Sequence, residues 1–286
     1  MAQKDKVQKT LESYNDVFAD IVNVLLFEGR RVVKEEELTE AQPFSYYKMD
    51  GSKVRAQERD VAKYWNSGQI RLSFIGLENQ MKTDRRMPLR VIGYDGAAYR
   101  TQLLEKHKKA CYPTVTLVLY FGTKHHWKNN RSLKEAVQIP PELEPYVSDY
   151  KINVFELAWL TDEQIESFNS DFREVALFLR CKRTGELFTG STRKLEHVME
   201  ILDLFRVMAD NDRNLIDAIE GLPEKDIEGG IGMCNVVQQW VDVGRQEQAV
   251  EAAVTLINKY KATPEDAAKD MNAPLELVLE RLKSKQ

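Results

Sequence analysis

Residues 59–80 read RDVAKYWNSGQIRLSFIGLENQ, and the fold turns on how this stretch is divided. Asp60 closes a polar run and opens VAKYW, whose branched and aromatic side chains suit a strand. Asn66-Ser67-Gly68 is a turn signal, and IRLSFIGL after it reads as a second strand. The two make a hairpin with Asp60 at the outer end of one strand and Glu78-Asn79-Gln80 at the outer end of the other. Carboxylates that converge repel each other, so a converging pair calls for a cation between them. Along a strand, alternate residues share a face. Phe74, Gly76, Glu78 and Gln80 therefore share one side, and Asp60 goes with Ala62 and Tyr64. Gly76 leaves space beside Glu78, and the backbone carbonyl of Asn79 is a further oxygen donor for a metal.

The register of this hairpin stays open. A turn centred on Ser67 sets Asp60 near Phe74 and leaves Glu78 about four residues on, too far at ~3.3 Å per residue for a shared ion. A turn centred on Gln69 sets Asp60 opposite Glu78 and closes the site.

Working outward, residues 10–27 carry Leu11, Tyr14, Val17, Phe18, Ile21, Val22, Leu25 and Leu26 at helical spacing, and Gly29 suits the helix end. Residues 32–53 read as irregular or strand-like, with a turn at Asp50-Gly51. Pro88 opens a helix expected to run to about residue 109. TVTLVLYF at 114–121 is short and almost wholly apolar, the pattern of a strand buried on both faces. Residues 152–160 form another strand candidate. A helix, three strands in a meander, a helix and a further strand make an α/β core over residues 1–170. Helices follow at 162–167, 171–181 and 194–219, the last with Leu195, Val198, Leu202, Phe205 and Met208 on one stripe. Gly229-Gly230-Ile231-Gly232 is the clearest hinge signal, so residues 171–228 form a helical extension and 229–286 a helical tail. In that tail 236–260 is a helix, Thr263-Pro264 starts a second, and 274–283 closes the chain. The last pair has a helix-turn-helix look about Met271-Asn272.

Net charge is −4, which by itself argues against a nucleic-acid partner. Its distribution argues the other way. Residues 82–134 hold twelve Lys or Arg against Asp84, Asp95 and Glu105, so this segment is +9 and the remainder −13. A basic block just downstream of paired acids is a phosphate-binding surface in prospect, and acids beside such a surface are a nuclease-like arrangement. The start, MAQKDKVQKT, lacks the apolar core of a secretory signal. The apolar runs are too short to span a bilayer. Cys111, Cys181 and Cys234 are isolated and odd in number, which fits buried thiols in a reducing cytoplasm. His125-His126 follows the buried strand as a basic loop tip. Glycine-rich phosphate loops and Gly-x-Ser-x-Gly or His-Glu-x-x-His motifs are missing from the sequence.

IGLENQ, MPLRVIGYDGAAY, TVTLVLYFG with the following HHWKNNRSL, and NDVFADIVNVLLFEG near the start together resemble the recombination-promoting nuclease family, transposase-like proteins with a PD-(D/E)xK nuclease core. The resemblance covers about residues 10–171, and it rests on the order and spacing of the segments. It implies a restriction-endonuclease-like mixed sheet flanked by helices, and Mg²⁺- or Mn²⁺-dependent hydrolysis of phosphodiesters in double-stranded DNA. By this resemblance Asp60 and Glu78 are the metal-holding acids, with Asn79 contributing its carbonyl. Gln80 stands where the wider superfamily has Lys, and Asp16 is the acid of the first helix, with Asp20 one turn on as its rival. Arg85, Arg86 and Arg90, with Lys82, are the expected phosphate clamp. Two other readings stay open: a nucleic-acid-binding module with a degenerate core, and an oligomeric scaffold built on the helical half.

Overall fold

The computed structural model describes residues 9–41, 44–48, 54–58, 61–65, 70–77, 84–104, 111–128, 130–209 and 212–284. The chain divides into two units, Met1–Phe188 and Thr189–Gln286. The first is mixed α/β and the second is helical, as the sequence leads one to expect at this level.

Helix α1, Asn15–Phe27, buries Val17, Phe18, Ile21, Val22 and Val24 on its apolar stripe. It ends at Glu28 and Gly29, both in the left-handed region. The buried amide of Asn23 then folds the returning chain back. Its Oδ1 accepts from the backbone N–H groups of Val32 and Val33, and its Nδ2 donates to Val33 O. This lead-in brings the chain to β1, Leu38–Glu40.

Next come β2 (Phe44–Lys48), β3 (Val54–Glu58), β4 (Val61–Trp65) and β5 (Ile70–Leu77). The main sheet has the order β1-β4-β5-β6-β7, while β2 and β3 pair with each other in a separate two-stranded sheet among the described residues. The expected three-strand meander is therefore present as β1-β4-β5, with a separate hairpin inserted after its first strand. The turn at Asp50-Gly51 lies between β2 and β3, outside the described residues. Lys63 on β4 is buried and pairs with Glu40, its cross-strand partner on β1.

Helix α2, Met87–Leu104, is the crossover that lets β5 pair parallel with β6, Thr114–Tyr120. Strand β7, Asn153–Glu156, extends the parallel set. Strand β6 lies between β5 and β7 and is buried on both faces, the origin of its nearly unbroken apolar run. On one face Val118 and Tyr120 pack with Met87, Val91, Tyr94, Trp127 and Ile152. On the other, Leu117 and Leu119 are fully buried. Strand β7 is shorter than the expected 152–160. Leu157 and Ala158 are both buried and turn into a 3₁₀ segment ending at Trp159, because two consecutive buried side chains break strand alternation.

Short helices α3 (Leu133–Ala136) and α4 (Asp162–Glu166) precede α5 (Phe172–Thr184). Thr161 and Gln164 form a complete capping box on α4. Helix α5 buries Phe172, Val175, Ala176 and Leu179, and Gly185 ends it.

The second unit holds α6 (Val198–Met208), α7 (Arg213–Glu220), α8 (Glu224–Glu228), α9 (Met233–Tyr260), α10 (Pro264–Asp270) and α11 (Leu275–Ser284). The helix expected over 194–219 is divided in two. Helix α6 ends at Met208, and Asp212 begins α7 by accepting from Leu215 N at 3.0 Å and Trp240 Nε1 at 3.2 Å. The supposed hinge at Gly229-Gly230-Ile231-Gly232 is a tethered turn. Gly230 has φ +76°, which only glycine adopts without strain. Leu195 N bonds to Ile231 O, and Lys194 Nζ bonds to Gly229 O, both at 2.9 Å. Thr263 caps α10 as expected. Val250, Ala253, Val254, Ala267, Ala268 and Val278 form the core under the last three helices.

Among the described residues no helix is long and apolar enough to cross a membrane. The thiols differ from the expected buried set, since Cys111 is exposed, Cys234 intermediate and Cys181 buried. Burial is also what pushes the Cys181 thiol up.

Candidate nucleic-acid interface

Three parallel strands end at one level. Leu77 of β5 is in register with Tyr120 of β6, and Tyr120 with Glu156 of β7. The carboxyl ends of parallel strands are where α/β folds place ligands, because helices cover the faces and loops converge at the ends. The segment after β5, the loop after β6 and the turn after β7 all leave from this edge.

The loop after β6 is pinned from beneath. A Cβ at Gly122 would lie 2.1 Å from the Tyr120 hydroxyl, so the close return of the chain there requires glycine. The Tyr120 hydroxyl donates to His125 O at 2.9 Å. Burial first, then the neighbouring Glu156 charge, holds the Tyr120 phenol above its usual value. It therefore remains a donor wherever the fold is intact. Trp127 is buried in the core cluster, edge-on to Tyr120 with ring centroids 5.5 Å apart.

Glu156 gathers the rest of the loop. Its Oε2 accepts from Trp127 N at 2.9 Å and from His126 Nδ1 at 2.8 Å, and its Oε1 accepts from Arg131 Nη2 at 2.5 Å. An ionised carboxylate only accepts, so His126 donates through Nδ1 and its Nε2 points away from the pair. The His126 ring also lies 4.4 Å from the Trp159 ring, and the Arg183 guanidinium lies over that indole at 5.7 Å. Asn130 Nδ2 donates to Arg85 O at 3.3 Å, which ties the loop to the start of α2.

Arg85 and Arg86, read as clamp residues, are exposed at that helix start. Asp84 caps the turn, its Oδ1 accepting from Arg86 N at 2.8 Å. Arg90 is only half-exposed. It donates to Asp84 Oδ2 at 3.2 Å and to Tyr94 Oη at 3.3 Å. Burial alone opposes its charge, but the bonds to Tyr94 and Asp84 outweigh that and hold the guanidinium charged. Tyr94 itself is a core residue under α2. Tyr99 is part-exposed and accepts from Thr114 N at 3.1 Å.

Asp60, Glu78, Asn79, Gln80 and Lys82 lie outside the described residues. The strands beside them are described. Val61 pairs with Phe74 and Trp65 with Ile70, so the hairpin axis falls midway between Ser67 and Gly68, next to the Ser67-centred alternative. Val61 thus stands opposite a residue four positions short of Glu78 in sequence.

The two acids of α1 differ. Asp16 is half-buried in the first turn. Asp20 is buried, and its Oδ2 accepts from Asn169 N at 2.8 Å and Ser170 N at 2.7 Å, holding the turn that leads into α5. That is a structural task. Asp20→Ala is expected to lower the unfolding free energy by about 3 kcal/mol, because two backbone donors lose a charged acceptor. Urea unfolding measures it, and an unchanged midpoint with unchanged slope refutes the assignment.

Glu156, Arg131, Trp127 and Trp159 were not singled out by sequence reasoning. One signal was available: Glu156 interrupts the apolar run INVFELAWL, and a charge inside such a run marks either a strand end or a partnered site.

Residues 66–204 match the model of a family described as "Putative transposase, YhgA-like". No curated protein and no solved structure matches the chain. The matched span includes β5, α2, β6, the basic loop, β7 and α5.

Proposed function

Because residues 66–204 match the model of the YhgA-like putative transposase family, we propose that the chain is a divalent-metal-dependent DNA endonuclease of mobile-DNA processing, built on a restriction-endonuclease-like core. One observation carries this reading: the common level at which β5, β6 and β7 end, with a pinned basic loop and the exposed Arg85-Arg86 pair leaving from that edge. In sequence, Asp60 adjoins the start of β4 and Glu78 the end of β5. Antiparallel pairing brings those two strand ends to the same end of the sheet, and because Val61 lies opposite Phe74, sharing one ion requires the chain to bring Glu78 back toward Asp60 after Leu77.

Two carboxylates and the Asn79 carbonyl are hard oxygen donors, the set that suits Mg²⁺ or Mn²⁺. The ion, when bound, supplies Lewis acidity toward a phosphate oxygen and lowers the pKa of a coordinated water. The chain's own residues do the remainder. Asp60 and Glu78 hold the ion, and Asp16 adds an acid from α1. Gln80 orients the attacking water or a phosphate oxygen through its amide. It brings no charge, so Lys82, Arg85, Arg86 and Arg90 carry the protein's share of charge stabilisation. Arg90 contributes a half-exposed guanidinium whose direction Asp84 and Tyr94 set.

Incubating supercoiled plasmid with the full chain and Mg²⁺ tests the reading. Nicking that a chelator abolishes is the expected result, and intact plasmid at every metal concentration refutes it. The clamp is tested separately by duplex binding without metal. Arg85→Ala, Arg86→Ala and Arg90→Ala are each expected to weaken binding and to lower the salt slope by about 1. Unchanged slopes remove these residues from the interface.

A second reading is a DNA-binding module whose core no longer cuts. The observed hairpin register and the neutral Gln80 favour it. It expects salt-sensitive binding with no metal-dependent cleavage.

A further inference from the structure

We propose that the loop at residues 123–131 is a separate strand-binding element, a preformed cradle for the phosphate backbone of DNA that acts without the metal. It rests on the reading of this sheet edge as one that handles DNA, and it deepens that reading. The sequence KHHWKNNR at 124–131 carries three cations and two histidines with no acid. Lys124, His125, His126, Lys128 and Arg131 are all exposed. A run of cations on a surface is ordinarily just solvated, and this one differs in being held. Trp127 is driven into the core between Lys128 and His126, so its neighbours in sequence are turned outward.

Glu156 has a particular part in the cradle. It lies beneath the loop, 16% exposed, and pairs with Arg131 while accepting a hydrogen bond from His126 Nδ1–H. One carboxylate thereby fixes a guanidinium, an imidazole and a backbone N–H. The His126 ring is also held against Trp159. It presents Nε2 to solvent in one direction, and carrying its second proton it donates to a phosphate oxygen there. Arg183 from α5 lies over the same Trp159 ring, and Lys124 and Lys128 flank His126 in the loop sequence. His126 and Arg131 are already ordered when a strand arrives, and the anchored Trp127 fixes the backbone from which Lys124 and Lys128 extend, so less freedom is lost on binding.

The loop is also continuous with the start of α2. Asn130 bonds to the carbonyl of Arg85, so the two exposed arginines and the loop form one basic strip. A strip of point charges at several positions matches a repeating polyanion better than a single small anion. DNA carries one charge per ~1.7 Å of duplex axis, and each contact made releases counterions.

The test measures binding of a labelled duplex to the full chain by fluorescence anisotropy, without metal, over a series of salt concentrations. The variants are Lys124→Ala/Lys128→Ala together and, as a control of equal charge, Lys34→Ala/Lys225→Ala together. The loop variant is expected to bind at least about tenfold more weakly and to lose about 2 from the salt slope. Its melting temperature should match the wild type, since both side chains are exposed. The control variant should bind as the wild type does. A loop variant with the wild-type affinity and slope overturns the proposal. Plasmid nicking by the same wild-type preparation judges the endonuclease reading independently. Binding through the loop with no nicking sinks the endonuclease and keeps the cradle, whereas nicking with loop-independent binding does the reverse.

Discussion

Asp60→Ala and Glu78→Ala are each expected to lower Mg²⁺-dependent plasmid nicking by about three orders of magnitude while leaving duplex binding unchanged. An ion that polarises a phosphate contributes several kcal/mol to the transition state. About 4 kcal/mol corresponds to a thousandfold in rate. Binding survives because it is carried elsewhere, by Arg85, Arg86 and the loop after β6. Charge matters in the comparison: Asp60→Asn keeps the size of the side chain and loses the anion, so it should be nearly as inactive as Asp60→Ala. A single-turnover nicking assay at saturating protein separates rate from affinity. Equal nicking by wild type and all three variants excludes these acids from the chemistry and moves the reading to the non-cutting module.

Trp127→Ala carries the largest expected cost to the fold itself. The indole is buried among Val118, Tyr120, Met87 and Ile152, and removing a large buried ring costs about 3–5 kcal/mol. Its Nε1 is buried with no acceptor among the described residues. Trp127→Phe keeps most of the ring packing and removes a donor whose burial is itself unfavourable. It should therefore fall within about 1.5 kcal/mol of the wild type, small beside the alanine variant. Denaturant unfolding of the three proteins checks the order. Trp127→Ala should also lose duplex affinity in the cold, where it still folds, because the loop's outward cations depend on the inward ring. Full affinity in that variant would show that the loop needs no anchor.

The parts of the fold legible in the sequence were those set by local pattern. The β6 run was readable because a strand covered on both faces admits no polar alternation. Helix α1 announced itself by an apolar stripe, and Thr263 by the hydrogen bond its side chain could make. The inserted β2–β3 hairpin was less legible, since period-2 segments do not name their partners. The division of 194–219 into α6 and α7 was hidden too, because the stripe continues through Leu215 and Ile219, both buried. The glycine cluster at 229–232 read as a hinge, and only its long-range bonds to Lys194 and Leu195 reveal a tethered turn.

The site divides in the same way. Sequence alone set out the candidates: acidic residues around a hairpin and a basic block after them, with a family match across that block. It determined this because side-chain charge and strand alternation are properties of each residue and its near neighbours. The tertiary structure decided which acid on α1 is committed to holding a turn. It also brought Glu156, thirty residues on, beneath His126, and set the level at which three strands end. Those facts arise from register between distant segments, and register is fixed by the packing of the whole sheet rather than by any run of residues within it.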